Sequence, residues 1–243
     1  MIAVSTADGS ELWSLRTEEG RNSVTAVFGS PITDGTFVYA GGFGGSLYAI
    51  RLNTDLGLGV VAGQEAWRFA GDSAFVGGPA LAGNLIVIGS EDGTLYGVEP
   101  PTGSGVTGTV RWSFSTEGDI WSTPAIVDGL AIVGTLDGVL HAVYAQDDPV
   151  TGGRAGEEKW QVTTGAGIGA RPIVDGDTVY FGSFDTKVYA VDVDDGSPRW
   201  LEPFETGNWI WAELLLDGGR LYVPSLDHNL YVLDALSGTE FRD

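Results

Sequence analysis

The sequence predicts an all-β fold: a β-propeller of four-stranded antiparallel blades, with about five repeats in its 243 residues. Three observations carry this expectation. A tryptophan returns once per unit, at Trp13, Trp67, Trp112, Trp160 and Trp200. Two strands of each unit are apolar on both faces, which suits a sheet packed between two neighbouring sheets and not one with a wet face. Glycine numbers 38 and clusters in tight-turn patterns, while no stretch keeps a helical period.

The spacing of the tryptophans becomes regular once each interval is divided. From Trp13 to Ala49, Trp67 to Gly97, Trp112 to Ala142, Trp160 to Ala190 and Trp200 to Val232 the steps are 36, 30, 30, 30 and 32 residues. One part of the unit is nearly constant and one turn absorbs the insertions, as stacked units with tolerant surface loops should show. The constant part opens with a short strand closed by a Gly turn, as in "FVGGPALAGN" and "IWSTPAIVDG". An apolar run follows ("LIVIGS", "AIVGT", "TVYFGS", "RLYVPS"), then a tight turn ("EDGT", "LDGV", "FDTK", "LDHN") and a third strand ("LYAI", "LYGV", "LHAV", "VYAV", "LYVL"). Such turns between β-branched and aromatic runs are hairpin signals. After the variable turn, a fourth strand carries the tryptophan. The chain therefore reads as a single domain over 1–243, with repeats at about 1–20 (partial), 24–69, 74–115, 119–163, 167–204 and 208–243, the last lacking a full fourth strand.

Composition narrows the functions. Cysteine is absent, which excludes disulfides and thiol chemistry. Asp and Glu total 33 against 12 Lys and Arg, a net charge of −21 that repels nucleic acid and anionic lipid. Lysine supplies only Lys159 and Lys187. That acidic, lysine-poor surface suits a halophilic protein, with an ordinary acidic extracytoplasmic protein as the alternative. No run approaches the roughly 18 apolar residues of a membrane span, so membrane insertion is not expected. The first 20 residues lack a basic-then-apolar signal, so the expectation is a cytosolic chain or an export signal outside this segment.

"AVDVDDGSPRW" (190–200) and "AVSTADGSELW" (3–13) resemble the tryptophan-docking motif of pyrroloquinoline-quinone-type (PQQ-like) repeat propellers, A-x-D-x-x-T-G-K-x-x-W. Ala190, Asp192, Gly196 and Trp200 match, with Asp195 in the Thr position. Ala3, Gly9 and Trp13 match, with Ser5 in the Asp position. The three middle units keep the Trp behind insertions, and the last carries Arg242 in the Trp position. The resemblance implies that Trp13, Trp67, Trp112, Trp160 and Trp200 are structural and pack between blades; the size of the ring supports that, since one aromatic buries about 150–250 Å². It also implies one of two functional classes. Quinoprotein dehydrogenases bind the quinone and Ca²⁺, often beside a vicinal Cys pair that this chain cannot form. BamB-like, non-catalytic relatives present the ring as a protein-binding platform, which implies an extracytoplasmic or cell-surface location.

Candidate chemistry is sparse. His141 stands in a slot held elsewhere by Tyr48, Tyr96, Tyr189 and Tyr231, which favours a packed strand residue, and His228 stands in a tight turn. Neither has a nucleophile or metal-spaced carboxylates beside it. Asp92, Asp137, Asp185 and Asp227 share one turn position, so a ring would set them on one face. Turn chemistry accounts for them, and the functional alternative is a rim that gathers cations or a basic partner. Calcium needs about six to eight converging oxygens, which spaced turns do not offer. The same face carries Trp121 ("DIWST") and Trp209 and Trp211 ("NWIWAE"), which strand alternation sends to one side. Those tryptophans plug the axial channel or form a binding surface. The insertion turns, with Asp147, Asp148, Glu157 and Glu158, belong to the opposite face and read as solvated loops.

Two ring closures are open. The leading strand around Trp13 completes the last blade of a five-bladed ring, or the chain is a segment of a seven- or eight-bladed ring whose open edges favour association. The abrupt ends and missing last tryptophan favour the segment, with oligomers expected only if the ring is open. The function expected is a non-catalytic scaffold, not an enzyme, binding a protein or peptide through its turn-rich face without a cofactor. The alternative is a fragment of a dehydrogenase dependent on PQQ and Ca²⁺.

Overall fold

The computed structural model describes residues 1–15, 26–54, 61–103 and 105–241. Arg242, residues 55–60 of the first insertion turn and Ser104 of the second lie outside them, as does part of the leading repeat. The described chain consists of strands and turns. It opens with a hairpin of β1 (Ile2–Val4) and β2 (Glu11–Ser14). Blade one contains β3 (Ile32–Thr33), β4 (Phe37–Gly42), β5 (Ser46–Arg51) and β6 (Glu65–Ala70). Blade two contains β7 (Ala80–Ala82), β8 (Leu85–Gly89), β9 (Thr94–Glu99) and β10 (Thr109–Ser115). Blade three contains β11 (Ala125–Val127), β12 (Leu130–Gly134), β13 (Val139–Tyr144) and β14 (Glu158–Thr163). Blade four contains β15 (Ile173–Asp175), β16 (Thr178–Gly182), β17 (Lys187–Asp192) and β18 (Phe204–Glu205). Blade five has β19 (Leu215–Asp217), β20 (Arg220–Pro224) and β21 (Leu230–Asp234). Within each blade the strands pair antiparallel in chain order.

Among the described residues the core forms four clusters, each shared by two consecutive blades. Tyr39, Leu47 and Trp67 of blade one meet Phe75, Ile86 and Tyr96 of blade two. Leu95 and Trp112 meet Ile120, Val133 and Val143. Leu140 and Trp160 meet Ile168, Phe181 and Val191. Val188 and Trp200 meet Ile210, Leu221 and Leu233. Strands two and three of the inner blades are therefore buried on both faces, which is why their sequences do not alternate.

Two devices join the blades. In the first, the strand register slips by one residue just before the tryptophan. Trp67 lies opposite Ala49 while Glu65 lies opposite Ile50; Trp112, Trp160 and Trp13 follow the same pattern over Gly97, Ala142 and Ala3. A bulge re-aims a side chain in this way. Trp112, Trp160 and Trp200 then donate their indole N–H to the carbonyls of Ala145, Val193 and Ala235 in the next blade, at 3.0, 2.7 and 2.9 Å. Each ring lies against a glycine of the following unit: Gly63, Gly108, Gly156, Gly196 and Gly238 receive Trp13, Trp67, Trp112, Trp160 and Trp200.

The second device lies at the other end of the blade. A Cβ at Gly41, Gly89, Gly134 or Gly182 would overlap Phe75, Ile120, Ile168 or Ile210, a residue from the loop entering the next blade. The N–H of that same residue donates to Gly42, Ser90, Thr135 or Ser183, at 2.9–3.3 Å. Glycine is needed there for space, not for its dihedral freedom. In blade five the slot holds Pro224.

One detail differs from the sequence expectation, and a second bears on the ring closure that the sequence left open. Trp200 lies outside any strand, because Pro198 removes a ladder donor and β18 starts only at Phe204. The β1–β2 hairpin is a sheet of its own and does not complete blade five; Trp13 packs instead beside Gly63 of blade one. Among the described residues, Ile2 and Leu12 at one end of the array and Leu215 and Leu230 at the other are exposed.

Candidate functional site

The loops entering the five first strands are equivalent, and they converge. Phe28, Val76, Trp121, Gly169 and Trp211 share one position, and Ser30, Gly78, Thr123, Arg171 and Glu213 share another two residues later. All except Gly78 line one cavity of about 180 Å³ at the mouth of the axis. A second, open space of about 580 Å³ continues along β11, β15 and β19 and shares Arg171 and Glu213 with the first.

The aromatic residues at this mouth form a continuous array. Phe184, from the β16–β17 turn, stacks on Trp211 at 5.1 Å between ring centroids and 4° between planes, and on Trp209 at 5.2 Å and 22°. Trp121 meets Trp211 edge-on at 6.2 Å. Phe184 fills the space left by the missing side chain of Gly169. Trp209 and Trp211 nevertheless remain 48% and 43% exposed, so stacking does not withdraw them from solvent. The Trp121 Nε1 atom is buried without a hydrogen-bond partner among the described residues. Sequence reasoning passed over Phe184, Phe43, Phe28, Arg171 and Glu213. Aligning the turn position before the repeated aspartate would have found two of them, since it reads Phe43, Glu91, Leu136, Phe184 and Leu226.

The four aspartates occupy their turns. Asp92 accepts the Thr94 N–H at 3.0 Å, and Asp137 accepts from the Thr135 hydroxyl. Asp185 takes the Gly165 N–H at 2.8 Å and the Tyr189 hydroxyl at 2.6 Å. Asp227 repeats this with the Gly207 N–H and the Tyr231 hydroxyl, both at 2.7 Å. Desolvation raises the Asp227 carboxyl, but the hydrogen bonds from Tyr231, Asn229 and Gly207 outweigh it and hold the group at about 2. Burial and the neighbouring carboxylate both push the Tyr189 hydroxyl up.

The remaining candidates stand apart from the mouth. His141 is buried with Nδ1 2.6 Å from Glu158 Oε1 and its ring edge-on to Phe114, in the seam between blades two and three. His228 has a φ of 73°, the left-handed conformation that a tight turn requires. Asp147, Asp148 and Glu157 accept backbone N–H groups within their own loop. Among the described residues no three His, Asp or Glu side chains are grouped to hold a metal ion.

Repeated four-stranded blades, joined through tryptophans and converging on one axial mouth, define a β-propeller. The sequence profile of the family described as outer membrane protein assembly factor BamB, a PQQ-like repeat family, matches residues 1–106, 61–152 and 148–241. The chain belongs to that family. BamB from Moraxella catarrhalis is similar in structure, with a TM-score of 0.71 and 18% identity over 91% of this chain and 62% of that one. The computationally designed protein Ika8 is similar with a TM-score of 0.69 and 18% identity, over 96% of this chain and 64% of that one. The chain thus spans less than two thirds of either protein. No curated protein sequence matches it.

Proposed function

We propose that this protein is a non-catalytic, extracytoplasmic scaffold that binds a protein or peptide through the turn-rich face around Trp121, Trp209 and Trp211. One observation carries the reading. The stack of Trp209, Phe184 and Trp211 belongs to no inter-blade core, yet it presents two tryptophans to solvent beside the axial mouth. Exposed, mutually braced aromatic residues suit recognition, because little side-chain entropy is left to lose. The family supports protein partners in general. The excess of carboxylates over lysine supports a halophilic setting, where such a surface stays hydrated.

The quinone alternative is poorly supported by the residues of the mouth. The mouth and the open space that continues from it bring one arginine and one glutamate, where a polycarboxylate with Ca²⁺ would need more of both charges. Two experiments test the proposal. Immobilised chain should capture partners from a cell-envelope extract, and the double variant Trp209→Ala, Trp211→Ala should lose most of them. Adding the quinone with Ca²⁺ should leave tryptophan fluorescence unchanged and reduce no dye; saturable quenching with turnover would overturn the scaffold reading.

A further inference from the structure

We infer that the axial mouth is a socket for a single basic side chain, so that the partner presents an arginine or lysine on an extended basic segment. This rests on the proposed recognition role of the turn-rich face. The cavity of about 180 Å³ accommodates one long side chain and is too small for a folded element. Its lining brings the aromatic rings of Phe28, Trp121 and Trp211 together with Glu213. A cation beside aromatic faces and a carboxylate gains from both.

The native pairing of that carboxylate is weak. Arg171 Nε lies 4.0 Å from Glu213 Oε1, and both side chains are about half exposed. Such a pair contributes little and exchanges readily for an incoming cation. Trp121 Nε1 is buried and has no hydrogen-bond partner among the described residues. The surroundings agree in sign. The same face carries Glu91, Asp92, Asp119, Asp137, Asp185 and Asp227 within a net charge of −21, a field that gathers a basic partner and repels an acidic one.

The test uses the whole chain and three short peptides that alternate glycine with arginine, with citrulline or with glutamate, titrated by intrinsic fluorescence and calorimetry. The arginine peptide should bind saturably, and its neutral citrulline isostere about tenfold more weakly. Trp211→Ala and Glu213→Gln should each weaken the arginine peptide about three- to tenfold. Glu202→Gln, an exposed control carrying the same charge change, should leave it unaltered. Arg171→Met should strengthen it about threefold by removing the resident competitor. Equal binding of the citrulline peptide, or equal effects of Glu213→Gln and Glu202→Gln, overturns the socket in favour of diffuse attraction. Binding of the glutamate peptide that Arg171→Met abolishes overturns it in favour of an anion site. If partner capture still depends on Trp209 and Trp211 in those cases, the recognition face stands and the socket alone falls. Capture indifferent to both tryptophans removes the face as well.

Discussion

At the scale of single residues, the recurring indole does two jobs at once. Trp160 is buried between blades three and four and donates its N–H to Val193, so truncation removes both a large apolar surface and a buried hydrogen bond. Trp160→Ala is expected to cost about 3–5 kcal/mol, read by urea denaturation. Asp227 gives the fold an acid-sensitive clip. Its folded pKa of about 2 lies below the ordinary 3.8, so the stability it contributes is complete above about pH 4 and is lost as the pH falls through about 2. Circular dichroism between pH 5 and 2 should show blade five loosening in that window, and Asp227→Asn should flatten the response. The tryptophans were legible in the sequence because they recur. The role of Phe184 was not, since it depends on the vacant side-chain position at Gly169 in a neighbouring loop.

At the scale of elements, the repeat unit was legible wherever hydrogen-bond chemistry follows the local sequence. Gly and Asp marked the turns, and the two-faced apolar runs marked β8, β12 and β16. Two features escaped. The one-residue bulge before Trp13, Trp67, Trp112 and Trp160 leaves no compositional trace, and the break before β18 needed Pro198 to be weighed against the pattern of the other units. The glycine slot is a property of two elements together, visible only when the end of one strand is set against the loop of the next blade. Gly134→Ala forces a methyl group into Ile168, and a loss of about 1–3 kcal/mol is expected. Ile168→Ala carries a cavity cost of its own, and the two losses together should be less than additive, a coupling measurable as a double-mutant cycle.

At the scale of the whole molecule, stability is distributed over four seams, each needing both of its neighbours. The two outermost faces have no such partner among the described residues. Leu215 and Leu230 are 61% and 63% exposed on blade five, and Ile2 and Leu12 are 64% exposed on the leading hairpin. The 243-residue chain alone is therefore expected to associate at micromolar concentration in light scattering, and Leu215→Lys with Leu230→Lys should shift it toward monomer. The axial mouth belongs to this scale too. Its five loops were individually visible in the sequence, but their convergence on Arg171 and Glu213 follows only from the radial arrangement.

Pro224 sets a limit on whatever sits against the last sheet. Four blades end their second strand in a keyhole that the following loop enters, and the fifth fills that opening with a rigid ring. A neighbour on that side, whether more of the same polypeptide or a different molecule, has to lie flat against the sheet instead of locking into it. Any lateral bond made there is of another kind from the four that precede it.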